Sequence, residues 1–568
     1  MEYKTETKIC QNCKKDFVIE PDDFAFYEKM KVPPPTWCPD CRQRRRYTWR
    51  NERVLYRRKC DLCGKSTVTI YSPNKPYKVY CPPCWWSDRW SALDYGVDFD
   101  FNRPFFEQFQ ELQLKVPRIA LLTKNSVNSE YTNHANNNRN CYMSHVTFNS
   151  ENVMYSTNVL EASQDVCDCY RIENGGGQLI YELINSGRCY KCQYGVLLRD
   201  CTDCFYCYDC RGCSHCFLSS NLRNKNYCFL NKQCTKEEYF KKISGYDLES
   251  SKTRAILFET YLNLIKKDTI HRFVVIENSK NVSGDIILNS KNAFYCFDIN
   301  NLENAKYIAE SIDTKDSMDS YHYGYSSELI YESHALIHSY NVMFTHLSYD
   351  NSYLQYCDSC HNNQNLFGCV GVKAGNYCIF NKQYAKEEYE ALVPKIIEHV
   401  KKTGEYGEFF PPKLSPFGYN ETLGAIYMPL TKEEALARGF KWEDLVPGTF
   451  GKETLKLEEI PDTIKEVNDN ILKEILRCTN CNKNYNIVRS ELDFYRREHI
   501  PIPRLCPDCR YNNRIALRPP RKLYHRQCMC DKSNHGHAGK CQNEFETSYA
   551  PDRPEIVYCE QCYNAEVA

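Results

Sequence analysis

The sequence predicts a multidomain, mainly β fold. Small metal-clamped modules, in tandem at both termini, flank a duplicated parallel β-helix-like solenoid with helical caps. Three observations carry this expectation. Cys-x-x-Cys pairs open and close the 568-residue chain. The region between them repeats itself at an offset of 150 residues. Within each repeat, short runs around a Cys, Val, Leu or Tyr recur every ten to fourteen residues between Asn, Ser, Asp or Gly corners. A chain this long exceeds one core, so three or four folding units are expected.

The N-terminal pairs are Cys10/Cys13 with Cys38/Cys41 and Cys60/Cys63 with Cys81/Cys84. The C-terminal sets are Cys478/Cys481 with Cys506/Cys509 and Cys528, Cys541 with Cys559/Cys562. Two tight turns that each deliver two thiolates suit one tetrahedral Zn2+, so four closed, structural zinc sites are expected. The ends align at an offset of 468, with 24 residues between the pairs in both copies. After the insertion Met529 to Lys540 the offset becomes 478. Cys530, His535 and His537 in that insertion compete for a place in the fourth site. In modules 1 and 2 the second pair carries Pro within Cys-Pro-Asp-Cys or Cys-Pro-Pro-Cys and opens a helical pattern, where a missing N–H costs nothing. Knuckle, hairpin and ligand-bearing helix resemble the treble-clef or zinc-ribbon class.

Arg42 to Lys59 holds nine cations against one anion, Glu52. Arg42, Arg44, Arg45, Arg46, Arg50 and Arg53, with Arg510, Arg514 and Arg518 in the C-terminal copy, are the candidate nucleic-acid contacts, because guanidinium forks suit phosphates and the interleaved aromatics suit bases. The alternative is a solvated face paired with acids elsewhere. Lys and Arg total 73, as do Asp and Glu, so any such affinity is local.

In the middle, residues 128–240 align with 278–390; Leu179-Ile-Tyr-Glu182 matches Leu329-Ile-Tyr-Glu332. Short strands with small polar corners at a fixed period read as a parallel β-helix. Cys201, Cys204, Cys207, Cys210, Cys213 and Cys216 recur every third residue, a spacing that fits neither strand nor helix. Small residues at tight corners, or an extra metal cluster, are the two readings. Helical caps are expected at 105–114, between Thr235 and Asp268, and from Ala385 to Lys402. The expected boundaries are 1–59 and 60–100 for zinc modules 1 and 2, 101–242 for solenoid half 1, and 243–277 for a helical insertion. Solenoid half 2 with its cap covers 278–408, a proline-rich linker 409–470, and modules 3 and 4 cover 471–527 and 528–568.

No phosphate loop, dinucleotide fingerprint or nucleophile elbow is present, so no catalytic residue is assigned. The first residues lack the apolar core of a signal peptide, and no apolar run is long enough to span a bilayer. A cytoplasmic, reducing setting favours thiolate ligands over disulfides, as does the odd total of 35 cysteines.

The run Val32 to Arg42, Arg50 to Arg58, Cys84 to Asp88 and Tyr549 to Cys559 resemble a multi-zinc-finger family of small-genome bacteria over nearly the whole chain. The resemblance implies no established activity. Some members carry a CaiB/BaiF CoA-transferase label, which calls for a long α/β pattern and a catalytic aspartate that are not identifiable here. The leading expectation is a non-enzymatic zinc protein that binds nucleic acid, RNA (ribosomal RNA included) ahead of DNA, with the solenoid as scaffold. The alternative is a protein–protein scaffold docking through Trp85, Trp86 and Trp90. Third is a carbohydrate-active enzyme using acids such as Asp350 and Asp358 in a solenoid groove.

Overall fold

The structure, a computed structural model, describes residues 3–173, 175–322 and 324–567. Two compact units emerge, each assembled from two separated stretches: Met1–Leu121 with Val274–Val446, and Leu122–Phe273 with Pro447–Ala568. The chain is therefore interleaved. The N-terminal modules join the second repeat, and the C-terminal modules join the first.

Each repeat is a ladder of parallel strands that ends in one antiparallel strand. The ladder runs from Thr123–Lys124 to Lys232–Gln233 in one unit and from Ile276–Glu277 to Lys382–Gln383 in the other. Pairing most often advances twelve residues per rung, as in Cys204 with Cys216 with Cys228, and elsewhere eleven to fourteen, as in Ile276 with Ile287 and Gln164 with Gln178. Along a rung, every third residue lies in the left-handed region: Asn125, Asn128, Tyr131, His134, Asn137 and Asn140 in one stretch. Left-handed backbone is costly for most side chains and least so for Asn and Asp, whose short polar groups bond locally. The corner amides also bond between rungs. Asn128 donates to Asn140 (3.4 Å), Asn140 to Asn152 (3.2 Å) and Asn152 to Asp165 (3.0 Å). Asn281, Asn292, Asn304 and Asp316 form the same chain in the other ladder, at 2.9, 3.0 and 2.8 Å.

A three-residue side explains the triplet cysteines. Asp200, Asp203, Tyr206, Asp209, Gly212 and His215 are left-handed, and each is followed by one of the six cysteines. All six point into the ladder and are at most 1% exposed. The narrow interior takes small side chains, here Cys, Val and Leu. Cys201 Sγ lies 3.2 Å from the Arg199 carbonyl and 3.3 Å from that of Cys210, as a thiol donor would. The six belong to no metal-competent group among the described residues. Burial pushes the interior thiols of Cys141 up to about 11 and of Cys296 up to about 12. The reading as small packed residues, rather than a cluster, fits these positions.

Helices follow each ladder. Lys236–Ile243 begins at a Thr235/Glu238 capping box. Ser251–Asn263 and Lys386–Lys402 occupy the other stretches expected to be helical. Phe105–Lys115 is helical, and Glu405 accepts from the N–H groups of Phe105 and Phe106 at its first turn. Residues 409–446, expected as linker, bury Phe409, Phe410, Leu414, Phe417 and Tyr419 in the first unit. A short helix, Lys432–Ala437, lies within them.

Candidate metal centres and the buried arginines

Each module is built to bring four sulfurs together. In module 1 the antiparallel pair Glu6–Ile9 and Asp16–Ile19 is joined by the turn bearing Cys10 and Cys13. Lys14 takes φ 62° there, and its N–H bonds back to the Cys10 carbonyl at 2.9 Å. Gly64 and Asn482 repeat that left-handed step in modules 2 and 3. Cys38 precedes the helix Pro39–Tyr47 and Cys41 lies in its first turn, with Pro39 at the first helical position. Cys506 and Cys509 stand the same way on Pro507–Ala516.

All sixteen expected ligands converge: Cys10, Cys13, Cys38 and Cys41; Cys60, Cys63, Cys81 and Cys84; Cys478, Cys481, Cys506 and Cys509; Cys528, Cys541, Cys559 and Cys562. Within each set the sulfurs lie within 4.8 Å of one another. Two thiolates on one tetrahedral ion with metal–sulfur bonds of about 2.3 Å stand about 3.8 Å apart. The observed separations are 3.7 Å for Cys13–Cys38, 3.9 Å for Cys63–Cys81, 3.6 Å for Cys481–Cys506 and 4.0 Å for Cys541–Cys559. Backbone N–H groups of Cys38, Cys81 and Cys559 each lie 3.2 Å from a sulfur and favour its thiolate. At Cys60 burial opposes ionisation, but the N–H groups of Cys81, Cys63 and Leu62 outweigh it and bring the thiol down to about 6. These are closed, four-sulfur sites, suited to holding a fold rather than to chemistry.

Cys530, His535 and His537 do not displace Cys528. They gather with Cys562 as a further group of metal-competent side chains.

The expected nucleic-acid arginines are placed otherwise than the sequence suggested. Arg42, Arg45, Arg46, Arg50, Arg510 and Arg514 are at most 4% exposed, and Arg518 is 9% exposed. Arg44 and Arg53 are half-buried. The buried ones meet carboxylates of their own unit. Arg42 lies 2.7 Å from Asp319, and Arg46 lies 2.8 Å from Glu332 and 3.3 Å from Asp319. Arg45 reaches Glu332 at 3.0 Å and Glu408 at 2.8 Å. Arg50 pairs with Glu52 and meets His322 at 2.8 Å. In the second unit Arg514 lies 2.9 Å from Asp168 and 3.0 Å from Glu182, and Arg510 lies 3.2 Å from Glu491 and 3.4 Å from Asp168. Arg518 donates to the Tyr170 hydroxyl at 3.0 Å. Burial opposes ionisation of Glu332, yet the guanidiniums of Arg45, Arg46 and Arg42 hold its carboxyl below the usual range. A guanidinium enclosed by carboxylates is not presented to a phosphate.

The tryptophans also dock internally. Trp85 is fully buried and sets its edge on His361 at 5.6 Å, with Trp86 at 5.3 Å. Lys373 lies over Trp85 and Trp90 at 5.1 and 4.7 Å. The two acids weighed for catalysis part ways. Asp358 is fully buried and paired with Arg118 (2.7 Å) and His346 (3.1 Å), whereas Asp350 is exposed beside His338. Asp350 and His338 line a polar groove of about 530 Å³ with Tyr340 and Asn376. No carboxylate pair forms there.

Sequence reasoning missed Asp319, Glu332, Asp168 and Glu182. The signal was present, since Glu182 and Glu332 close the matched Leu-Ile-Tyr-Glu runs, where an acid amid apolar strand residues implies a buried cation. Among the described residues, no helix is long and apolar enough to cross a membrane. No family model and no curated protein matches the chain. Among solved structures, a proposed acetyltransferase from Desulfovibrio desulfuricans is similar over 47% of this chain and 69% of its own, at 8% identity and a TM-score of 0.11. A likeness that weak carries no argument about fold or activity.

Proposed function

We propose that this chain is a non-enzymatic zinc protein, related to the multi-zinc-finger family its motifs resemble, that acts in the cytoplasm as a protein-binding scaffold. In this reading the ions are Zn2+, and each ladder is a parallel β-helix. The terminal modules are structural clamps that fold around zinc and lock onto a coil. The observation that carries it is the burial of both basic helices against ladder carboxylates. Buried pairs of this kind set register and partner more than they add stability. Placing them at equivalent points in both units gives two rigid bodies of one design.

Nucleic-acid binding is the competing reading, and one experiment separates them. The purified chain is assayed for retention on single-stranded RNA at 50 and 200 mM salt, beside R45E/R46E. The scaffold reading expects no salt-dependent retention by the parent and loss of module 1 folding in the variant. Salt-dependent retention that the variant loses while staying folded would overturn it.

A further inference from the structure

Module 4 departs from module 2 by the insertion Met529 to Lys540, and that insertion supplies three side chains with no other evident task. Cys530 is fully buried, His535 is 3% exposed, and His537 is half-buried. Their ligand atoms and the Cys562 sulfur all lie within 4.8 Å of one another. We propose that they hold a fifth zinc ion, bridged through the Cys562 thiolate to the ion held by Cys528, Cys541 and Cys559. This rests on the reading of the sulfur tetrads as zinc sites.

The deciding contact is at His537. Its Nδ1 lies 2.9 Å from the Gly539 carbonyl, which can only accept, so Nδ1 carries the proton. The other ring nitrogen, Nε2, faces the Cys562 sulfur 3.3 Å away, a separation that suits two ligands of one ion. A cation between them turns the contact into two metal–ligand bonds. His535 places Nδ1 3.1 Å from Cys530 Sγ, and its buried Nε2 lies 3.0 Å from the Glu566 carboxylate without hydrogen-bonding to it. Gln561 donates to the His535 carbonyl at 2.9 Å and steadies the loop. Gly536, at φ 81°, turns the chain between the two histidines.

Two sulfurs and two imidazole nitrogens are a donor set that favours zinc among common divalent ions. Charge supports the pairing. One ion on four thiolates carries −2, whereas two ions on five thiolates and two neutral imidazoles carry −1. The shared thiolate therefore spreads charge that a buried site would otherwise hold alone.

The test is zinc content per full-length chain by mass spectrometry, with zinc X-ray absorption to count imidazole ligands. Five zinc ions and an imidazole contribution are expected. H537Q and, separately, H535Q should hold four and lose that contribution, while hydrogen exchange of residues 3–100 and 471–527 stays unchanged. H537Q is the milder change because the ring is half-buried. Four ions in parent and variants alike would overturn the fifth site and leave the tetrads standing. Four ions with imidazole present, or five ions unaffected by H537Q, would also overturn it. A chain without zinc would overturn the tetrads as well, so the two failures are distinguishable.

Discussion

The two units solve one docking problem with different chemistry. In the first, Asp23 of module 1 binds Lys306 of the ladder at 2.8 Å. At the matching place in the second, Glu491 of module 3 accepts a hydrogen bond from Tyr155 at 2.8 Å. Module 2 and its adjoining strand meet the ladder through Arg118, Tyr71 and Asp358, with Arg118 bonded to Tyr71 at 3.0 Å and Asp358 at 2.7 Å. Module 4 does so through His271, Tyr549 and Tyr208, with His271 Nδ1 3.0 Å from both hydroxyls. The strand pairings match, Val79 with Arg118 and Val557 with His271. The arginine–carboxylate core, Arg42 and Arg46 on Asp319 and Glu332 or Arg510 and Arg514 on Asp168 and Glu182, is the same in both. Peripheral contacts can thus trade ion pairs for neutral hydrogen bonds. The centre cannot do so by halves, because a buried guanidinium without a carboxylate is costly.

This comparison can be broken at several depths. The deepest is the ion. C478S/C509S should strip module 3 of its metal and remove on the order of 10 kcal/mol of folding free energy, read as loss of hydrogen-exchange protection over 471–527. Next is the carboxylate core. E332A should destabilise the first unit by about 3–5 kcal/mol in urea unfolding, since it leaves three buried guanidiniums, Arg42, Arg45 and Arg46, with only Asp319 and the partly exposed Glu408. E182A should cost the second unit less, because the Glu182 side chain is 15% exposed and that of Glu332 is not exposed at all. A smaller contrast lies at the edge: a double-mutant cycle on Arg118 and Asp358 should give a coupling of about 1.5–3 kcal/mol, against about 1 kcal/mol for His271 and Tyr208. Smallest is a pH effect. Burial depresses the His271 pKa below its usual value. The unfolded chain therefore takes up that proton first, and stability is lost as pH falls through about 6.5. H271Q should flatten the stability profile of the second unit between pH 5 and 7; an unchanged slope would remove His271 from this role.

Much of this was legible in the sequence because it obeys local rules. Ligand spacing is set within each turn, and all sixteen cysteines could be assigned from it. The helices at 105–114 and after residues 235 and 385 announce themselves by periodicity and, at Thr235, by a capping box. The arginines were less legible, because an Arg-rich helix looks the same whether its partner is a phosphate or a distant carboxylate, such as Asp319 for Arg42 or Asp168 for Arg514. The triplet cysteines were opaque for another reason. Their period is that of a side three residues long with left-handed corners, which lies outside the periods of two and 3.6. The interleaving of modules and repeats, which joins residues 1–121 to 274–446, has no local signature at all.

The central claim is that metal-held modules grip their ladders through buried arginines. Hydrogen exchange of the full chain, with and without a zinc chelator, tests it most directly. Protection should fall across 3–100 and 471–567 and at the rungs bearing Asp319, Glu332, Asp168 and Glu182, while rungs such as 201–217 stay protected. Modules that keep their protection after the metal is gone would contradict the account.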